Sequence, residues 1–128
     1  SIFCRNVLDG KTIKIFGDGS QIRSLTYVKD VIEIAKLTAV DERCRGEAYN
    51  CASGSQITIL DLAKSIIDIL GVKDAPIEFF DWRVGDIPYF EVSNEKLKNI
   101  GFDFKYRFDD GLRETVNWHV TKKNMHNV

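Results

Sequence analysis

The chain has 128 residues, 44% hydrophobic and 29% charged, the proportions of a single globular domain able to bury roughly two-thirds of its unfolded surface. Lys and Arg number 18 against 19 Asp and Glu, a formal net charge of −1, so the sequence shows neither a nucleic-acid footprint nor a polybasic membrane surface. No apolar run approaches the roughly 18 residues of a membrane span, and no signal-peptide apolar region occurs, so a cytoplasmic location is expected.

Ile2–Leu8 has helical apolar spacing and stops at Asp9-Gly10, a C-cap signal. Thr12–Phe16 alternates as a half-buried strand, and Gly17-Asp18-Gly19-Ser20 is a tight polar turn. A short second strand is expected over Ser24–Val28, then a helix from Asp30 with Val31, Ile34, Ala35, Thr38 and Ala39 on one face. Ala48–Ala52 reads as a strand ended by Ser53-Gly54-Ser55. Thr58 with Asp61 forms a short-armed capping box ahead of the clearest stripe in the chain: Ile59, Leu62, Ala63, Ile66, Ile67 and Leu70, closed by Gly71. Ile77–Phe80 is another strand. Ser93 caps a short helix through Leu97, ended by Gly101. A last helix, about Asp109–Val120, buries Leu112, Thr115, Val116 and His119, and the polar tail 121–128 is expected to fray. Strands alternating with helices make an α/β or α+β chain.

Catalytic constellations are scarce. The sequence holds no G-x-G-x-x-G, P-loop, H-E-x-x-H or G-x-S-x-G pattern. Cys4, Cys44 and Cys51 are an odd number without C-x-x-C spacing, which points to buried free thiols in a reducing cytoplasm and away from disulfides or zinc. His119 falls on the apolar face of a helix and reads as a packed imidazole. His126 lies in the expected tail, and Asp109-Asp110 and Asp41-Glu42 read as helix-dipole partners or solvated charge. Arginines and aromatics beside glycine turns stand out more: Arg23 follows Gly-Asp-Gly, Arg83 lies in Trp82-Arg83-Val84-Gly85-Asp86, and Phe16 ends a strand next to the first turn. Two guanidinium forks could clamp a diphosphate, and an aromatic face could stack on a base or sugar. On spacing alone the plainer reading, two surface arginines and one core phenylalanine, is favoured.

Read together, five segments change that balance. They are Lys14–Arg23 (KIFGDGSQIR), Tyr27–Val31 (YVKDV), Gly46–Gly54 (GEAYNCASG), Arg83–Asp86 (RVGD) and Phe108–Trp118 (FDDGLRETVNW). In this order and spacing they resemble the C-terminal part of the extended short-chain dehydrogenase/reductase family. Those are the NAD-dependent nucleotide-sugar epimerases and dehydratases, and the resemblance covers nearly the whole chain. It implies the mixed α+β substrate domain of such an enzyme, with residues 1–120 as a C-terminal nucleotide-sugar-binding domain and most of the Rossmann domain missing. The start at Ser1, inside an apolar segment and without an initiator Met, also reads as the back part of something longer.

Carried over by position, the resemblance implies that Arg23 and Arg83 meet the diphosphate of a UDP- or dTDP-sugar. Lys14, mainly through its backbone, and Phe16 line the nucleobase pocket. Asp86 is placed to accept a ribose hydroxyl, and Phe90 lies close to the sugar ring. Tyr27, Asp30, Tyr49 and Asn50 read as architectural. Three departures touch local geometry: Ser24 stands where the family usually has Asp, Val84 where Pro is common, and Cys51-Ala52 where an aliphatic-glycine pair is usual.

The family's nucleotide-binding glycines and its Tyr-x-x-x-Lys pair lie upstream of this segment. None of Tyr27, Tyr49, Tyr89 or Tyr106 has a lysine four residues on. NAD is therefore expected on the Rossmann domain of the parent enzyme, with no cofactor and no turnover in this chain alone. Gly85-Asp86-Ile87-Pro88-Tyr89 resembles the epimerase version of its motif and leans the reading to a UDP-sugar 4-epimerase. In the family the strand around Tyr49-Asn50 joins the Rossmann sheet, so its unpaired edge is expected to drive a homodimer or rearranged packing. The alternative is a free-standing, non-catalytic nucleotide-sugar-binding or interaction module.

Overall fold

Alternate residues of one four-residue strand set the layout of the molecule. In β1 (Ile13–Phe16), Ile13 and Ile15 are fully buried while Lys14 and Phe16 turn to the opposite face, as the two-residue period of a strand requires. The computed structural model describes residues 1–126, His126 by its backbone alone. These residues form a mixed α/β fold of five α-helices and two two-stranded sheets. β1 pairs in parallel with β4 (Ile77–Phe80), in the register Ile13↔Ile77 to Phe16↔Phe80. β2 (Ile22–Ser24) pairs antiparallel with β3 (Gln56–Thr58).

The main core lies on the inner face of β1. Cys4 and Val7 from α1 (Ile2–Leu8), Ala63 and Ile66 from α3 (Ile59–Leu70) and Val116 from α5 (Phe108–His126) close around Ile13 and Ile15. The stripe on α3 forms as its sequence predicts. Thr58 is the N-cap and its hydroxyl oxygen accepts the Asp61 N–H at 3.0 Å, while Gly71 ends the helix at φ 66°. The box is modified at its short arm: the Thr58 hydroxyl donates a hydrogen bond to the Asp61 carboxylate at 2.7 Å. A second, smaller core joins Ile34 of α2 (Val28–Val40) to Leu97 of α4 (Glu95–Asn99) and to Phe102.

Five expectations need correction. The second strand is Ile22–Ser24, earlier than Ser24–Val28, because its partner β3 has only three residues before the Thr58 cap ends the ladder. α2 then starts at Val28. Of its expected face only Ile34 is buried; the other core position goes to Asp30, 1% exposed, whose carboxylate accepts the N–H groups of Lys105 and Tyr106 at 3.1 and 3.2 Å. No strand forms over Ala48–Ala52. Side chains serve that run in place of a ladder: Thr26 Oγ1 donates to the Cys51 carbonyl at 3.0 Å and Asn94 Nδ2 to that of Ala52 at 2.9 Å. Cys51 is exposed, whereas Cys4 and Cys44 are buried as expected. The last helix runs on to His126, because Lys123 Nζ reaches the Leu8 carbonyl and, at 2.9 Å, the Asp9 carboxylate at the end of α1. Asn127 and Val128, the rest of the expected tail, lie outside the described residues.

Candidate functional site

The outer face of the β1–β4 sheet is aromatic and cationic. Phe16 and Phe80 stand opposite each other in register, ring centroids 5.6 Å apart, and Lys14 Nζ lies 5.4 Å from the Phe80 centroid. The Arg83 guanidinium carbon sits 3.9 Å from the centroid of the Phe16 ring, a cation–π contact made by an exposed arginine. Phe80 is 39% exposed and Trp82 45%, so the shelf is accessible.

Backbone geometry holds this shelf in place. Gly17 ends β1 at φ 80°, its N–H donates to the Phe80 carbonyl at 2.8 Å, and a Cβ there would lie 2.6 Å from the Trp82 ring. Only glycine allows that conformation together with that approach. Gly19, at φ 82°, packs as closely on Leu60. Gln21 is buried behind the turn. Its Nε2 donates to the Phe16 carbonyl at 2.6 Å, and its Oε1 is buried without a partner.

Residues 82–90 cross from β4 toward β2 as a strap. It turns at Gly85, where the Asp86 N–H donates to the Arg83 carbonyl at 3.1 Å. Beyond the turn, Ile22 N–H donates to the Pro88 carbonyl at 2.8 Å and Ile22 bridges in parallel to Tyr89. Arg23 adds three bonds: Nη1 to the carbonyls of Ile22 (2.8 Å) and Ile87 (2.7 Å), and Nη2 to the Asp86 carboxylate.

Lys14, Phe16 and Arg83 thus come together on one face, and Arg23 meets Asp86 at the far end of the strap. Phe90, 47% exposed, follows at the end of the strap. Two features depart from what the sequence suggested. Lys14 presents its side chain to the shelf as well as its backbone, and the Asp86 carboxylate is engaged by Arg23. Phe80, Trp82 and Gln21 are not among the site residues that the sequence pattern marks. The parallel register that sets Phe80 beside Phe16 has no local signature, whereas Trp82, next to Arg83, was within reach.

The architectural residues form clasps. The Tyr27 ring meets Tyr106 at a tilt, centroids 4.7 Å apart, and its hydroxyl donates to Glu114 at 2.8 Å, a bond that raises the phenol pKa. The bonds from Lys29 and Tyr27 lower that of the Glu114 carboxylate. The Tyr49 phenol pKa is pushed up to about 12, most of all by the Cys44 thiol. His119 is half-buried against Trp118, and burial lowers its pKa. An apolar cavity of about 440 Å³ between α1, α3 and α5 contains none of the predicted site residues. Among the described residues, no group of three His, Cys, Asp or Glu is placed to hold a metal, and no helix is long and apolar enough to cross a membrane.

With this geometry in view, the chain can be compared with known proteins. The family model described as "NAD dependent epimerase/dehydratase family" matches residues 1–52. The low-salt glycan biosynthesis protein Agl12 of Haloferax volcanii is 31% identical over 119 residues, covering 92% of this chain and 38% of that protein. Among solved structures, the dTDP-glucose 4,6-dehydratase of Streptomyces venezuelae, with NAD bound, superposes with a TM-score of 0.87 at 26% identity, over 97% of this chain and 38% of that one. The UDP-glucose 4-epimerase of Thermotoga maritima, with UDP-glucose, gives 0.83 at 30% identity, over 94% and 38%. The chain therefore spans a little over a third of the length of these relatives.

Proposed function

We propose that this chain belongs to the NAD dependent epimerase/dehydratase family, the extended short-chain dehydrogenase/reductases, and that it supplies their nucleotide-sugar-binding part. The observation that carries the reading is Arg83 held 3.9 Å from the centroid of the Phe16 ring at the edge of an exposed aromatic shelf. A pyrimidine base stacks on the shelf beside Phe16 and Phe80, and Lys14 Nζ offers a donor at its rim. The exposed Arg83 meets the diphosphate, where a planar fork matches paired phosphate oxygens. Arg23 keeps its Nε–H and one Nη2–H for the same anion after its three bonds to the protein. On the same reading Asp86 accepts a ribose hydroxyl and Phe90 flanks the sugar.

The domain is residues 1–120, and the parent enzyme is an NAD-dependent epimerase or dehydratase of UDP- or dTDP-sugars, with the lean to a UDP-sugar 4-epimerase resting on Gly85–Tyr89. NAD supplies hydride chemistry in such an enzyme. The Gly17–Gly19 turn does not suit a dinucleotide: it leads into a strand, and Trp82 and Leu60 fill the space its glycines leave. On this reading NAD sits on the remainder of the longer enzyme, the chain alone turns over no nucleotide sugar, and the location is cytoplasmic.

Calorimetric titration of the 128-residue chain with UDP and dTDP tests the proposal. Both bind, and Arg83→Ala weakens both about 10- to 100-fold, the range for hydrogen bonds to a charged group, with unchanged melting. Absence of binding by the wild-type chain, or equal affinity in Arg83→Ala, overturns it.

A further inference from the structure

The two arginines have different surroundings. Arg83 touches one aromatic ring and is exposed, whereas Arg23 is partly buried and spends three N–H groups on the protein, two of them on the strap that carries Arg83. The strap is fastened at both ends. At its entry Trp82 seats on Gly17; at its exit Ile87 and Asp86 bond to Arg23, while Pro88 and Tyr89 run along Ile22. Between these points Val84 is fully exposed and Gly85 turns with positive φ, and Arg83 meets the body of the fold at the Phe16 ring. The contact of Arg83 with Phe16 depends on the two fastenings.

The geometry points to Arg23 as a positioning residue: its fork pins Asp86 and the Ile87 carbonyl, fixes the 82–90 strap, and thereby holds Arg83 over Phe16. This deepens the nucleotide-sugar reading and rests on it for the ligand, though not for the strap itself. The physical requirement is a fork. One planar guanidinium reaches a carboxylate and two carbonyls at once, whereas a lysine ammonium brings the charge without that geometry. The Arg23–Asp86 ion pair carries no net charge of its own.

The test uses the full chain in a Trp118→Phe background, which leaves Trp82 as its one tryptophan. Arg23→Lys, Asp86→Asn and the double variant are compared. Without ligand, hydrogen exchange is read at the residue-86 amide and at Ile22, whose N–H donates to the strap; Trp82 emission is recorded, and UDP affinity is measured separately. Exchange in Arg23→Lys is expected to rise at least tenfold at both amides while the Ile13 and Ile15 amides stay protected. Trp82 emission should shift to the red and UDP binding weaken about tenfold. Asp86→Asn should act in the same direction, and the double variant should be no worse than Arg23→Lys, because both remove one fastening. Unchanged strap exchange in Arg23→Lys overturns the inference, whatever happens to UDP. If wild-type protein fails to bind UDP, the ligand reading falls, and the exchange and emission still decide the role of Arg23.

Discussion

The two faces of β1 do opposite work within four residues. On one face Ile13 and Ile15 are sealed by α1, α3 and α5; on the other, Lys14 and Phe16 form an open shelf with Phe80 and Arg83. The inner face gains by removing aliphatic surface from water. The outer face leaves aromatic surface half exposed, at a cost that binding a base and a diphosphate would offset. Because both faces share one backbone, the core that stabilises the fold also holds the shelf rigid. The proposed ligand site benefits from sitting directly on a well-packed strand.

The largest expected effect breaks the inner face. Ile15, 1% exposed, sits among tightly packed neighbours. Ile15→Ala should cost about 2–5 kcal/mol of stability in urea denaturation. A loss below about 1 kcal/mol would mean that this face is not the core. A smaller effect falls on the hinge between the faces. Gly17→Ala forces a side chain into positive φ and onto Trp82, and should cost about 1–3 kcal/mol. Its signature is a change in Trp82 fluorescence in the native state; unchanged emission would show that Trp82 does not rest on Gly17.

The smallest effect is pH-dependent and belongs to the core side alone. Burial, then the Ser1 ammonium, Arg5 and Lys122, lower the His119 pKa below its ordinary 6.5. The unfolded chain therefore binds the proton more readily. The stability this histidine contributes is fully present above about pH 6.5 and is lost as the pH falls through the lower folded value. Denaturation midpoints at pH 7.5 and 5.5 should differ more in the wild type than in His119→Gln. An equal difference in both would assign the acid sensitivity to other groups.

Local patterning made much of this legible. The α3 stripe with its Thr58 cap and Gly71 stop, the α1 span, β4 and the 17–20 turn all follow from spacing and caps that act within a few residues. So does the presence of two arginines near glycine turns. The strand expected over 48–52 fails for a different reason: a strand needs a ladder partner, and here Thr26 and Asn94 serve its carbonyls. The stretch of α5 beyond Val120 depends on Lys123 reaching Asp9, across 114 positions of sequence.

For the site, the sequence by itself determined the residue types and their family order: Lys14, Phe16, Arg23, Arg83, Asp86 and Phe90. It carried no information on their pairing. That Phe80 stands beside Phe16, that Arg83 lies on Phe16, and that Arg23 grips Asp86 were decided by the parallel β1–β4 register and the strap that crosses to β2. Alternation and capping are written in neighbouring residues, whereas register and cross-strand contacts are set only when separate segments meet. The chain supplied the chemistry in one dimension, and packing chose which arginine faces solvent and which one holds the loop.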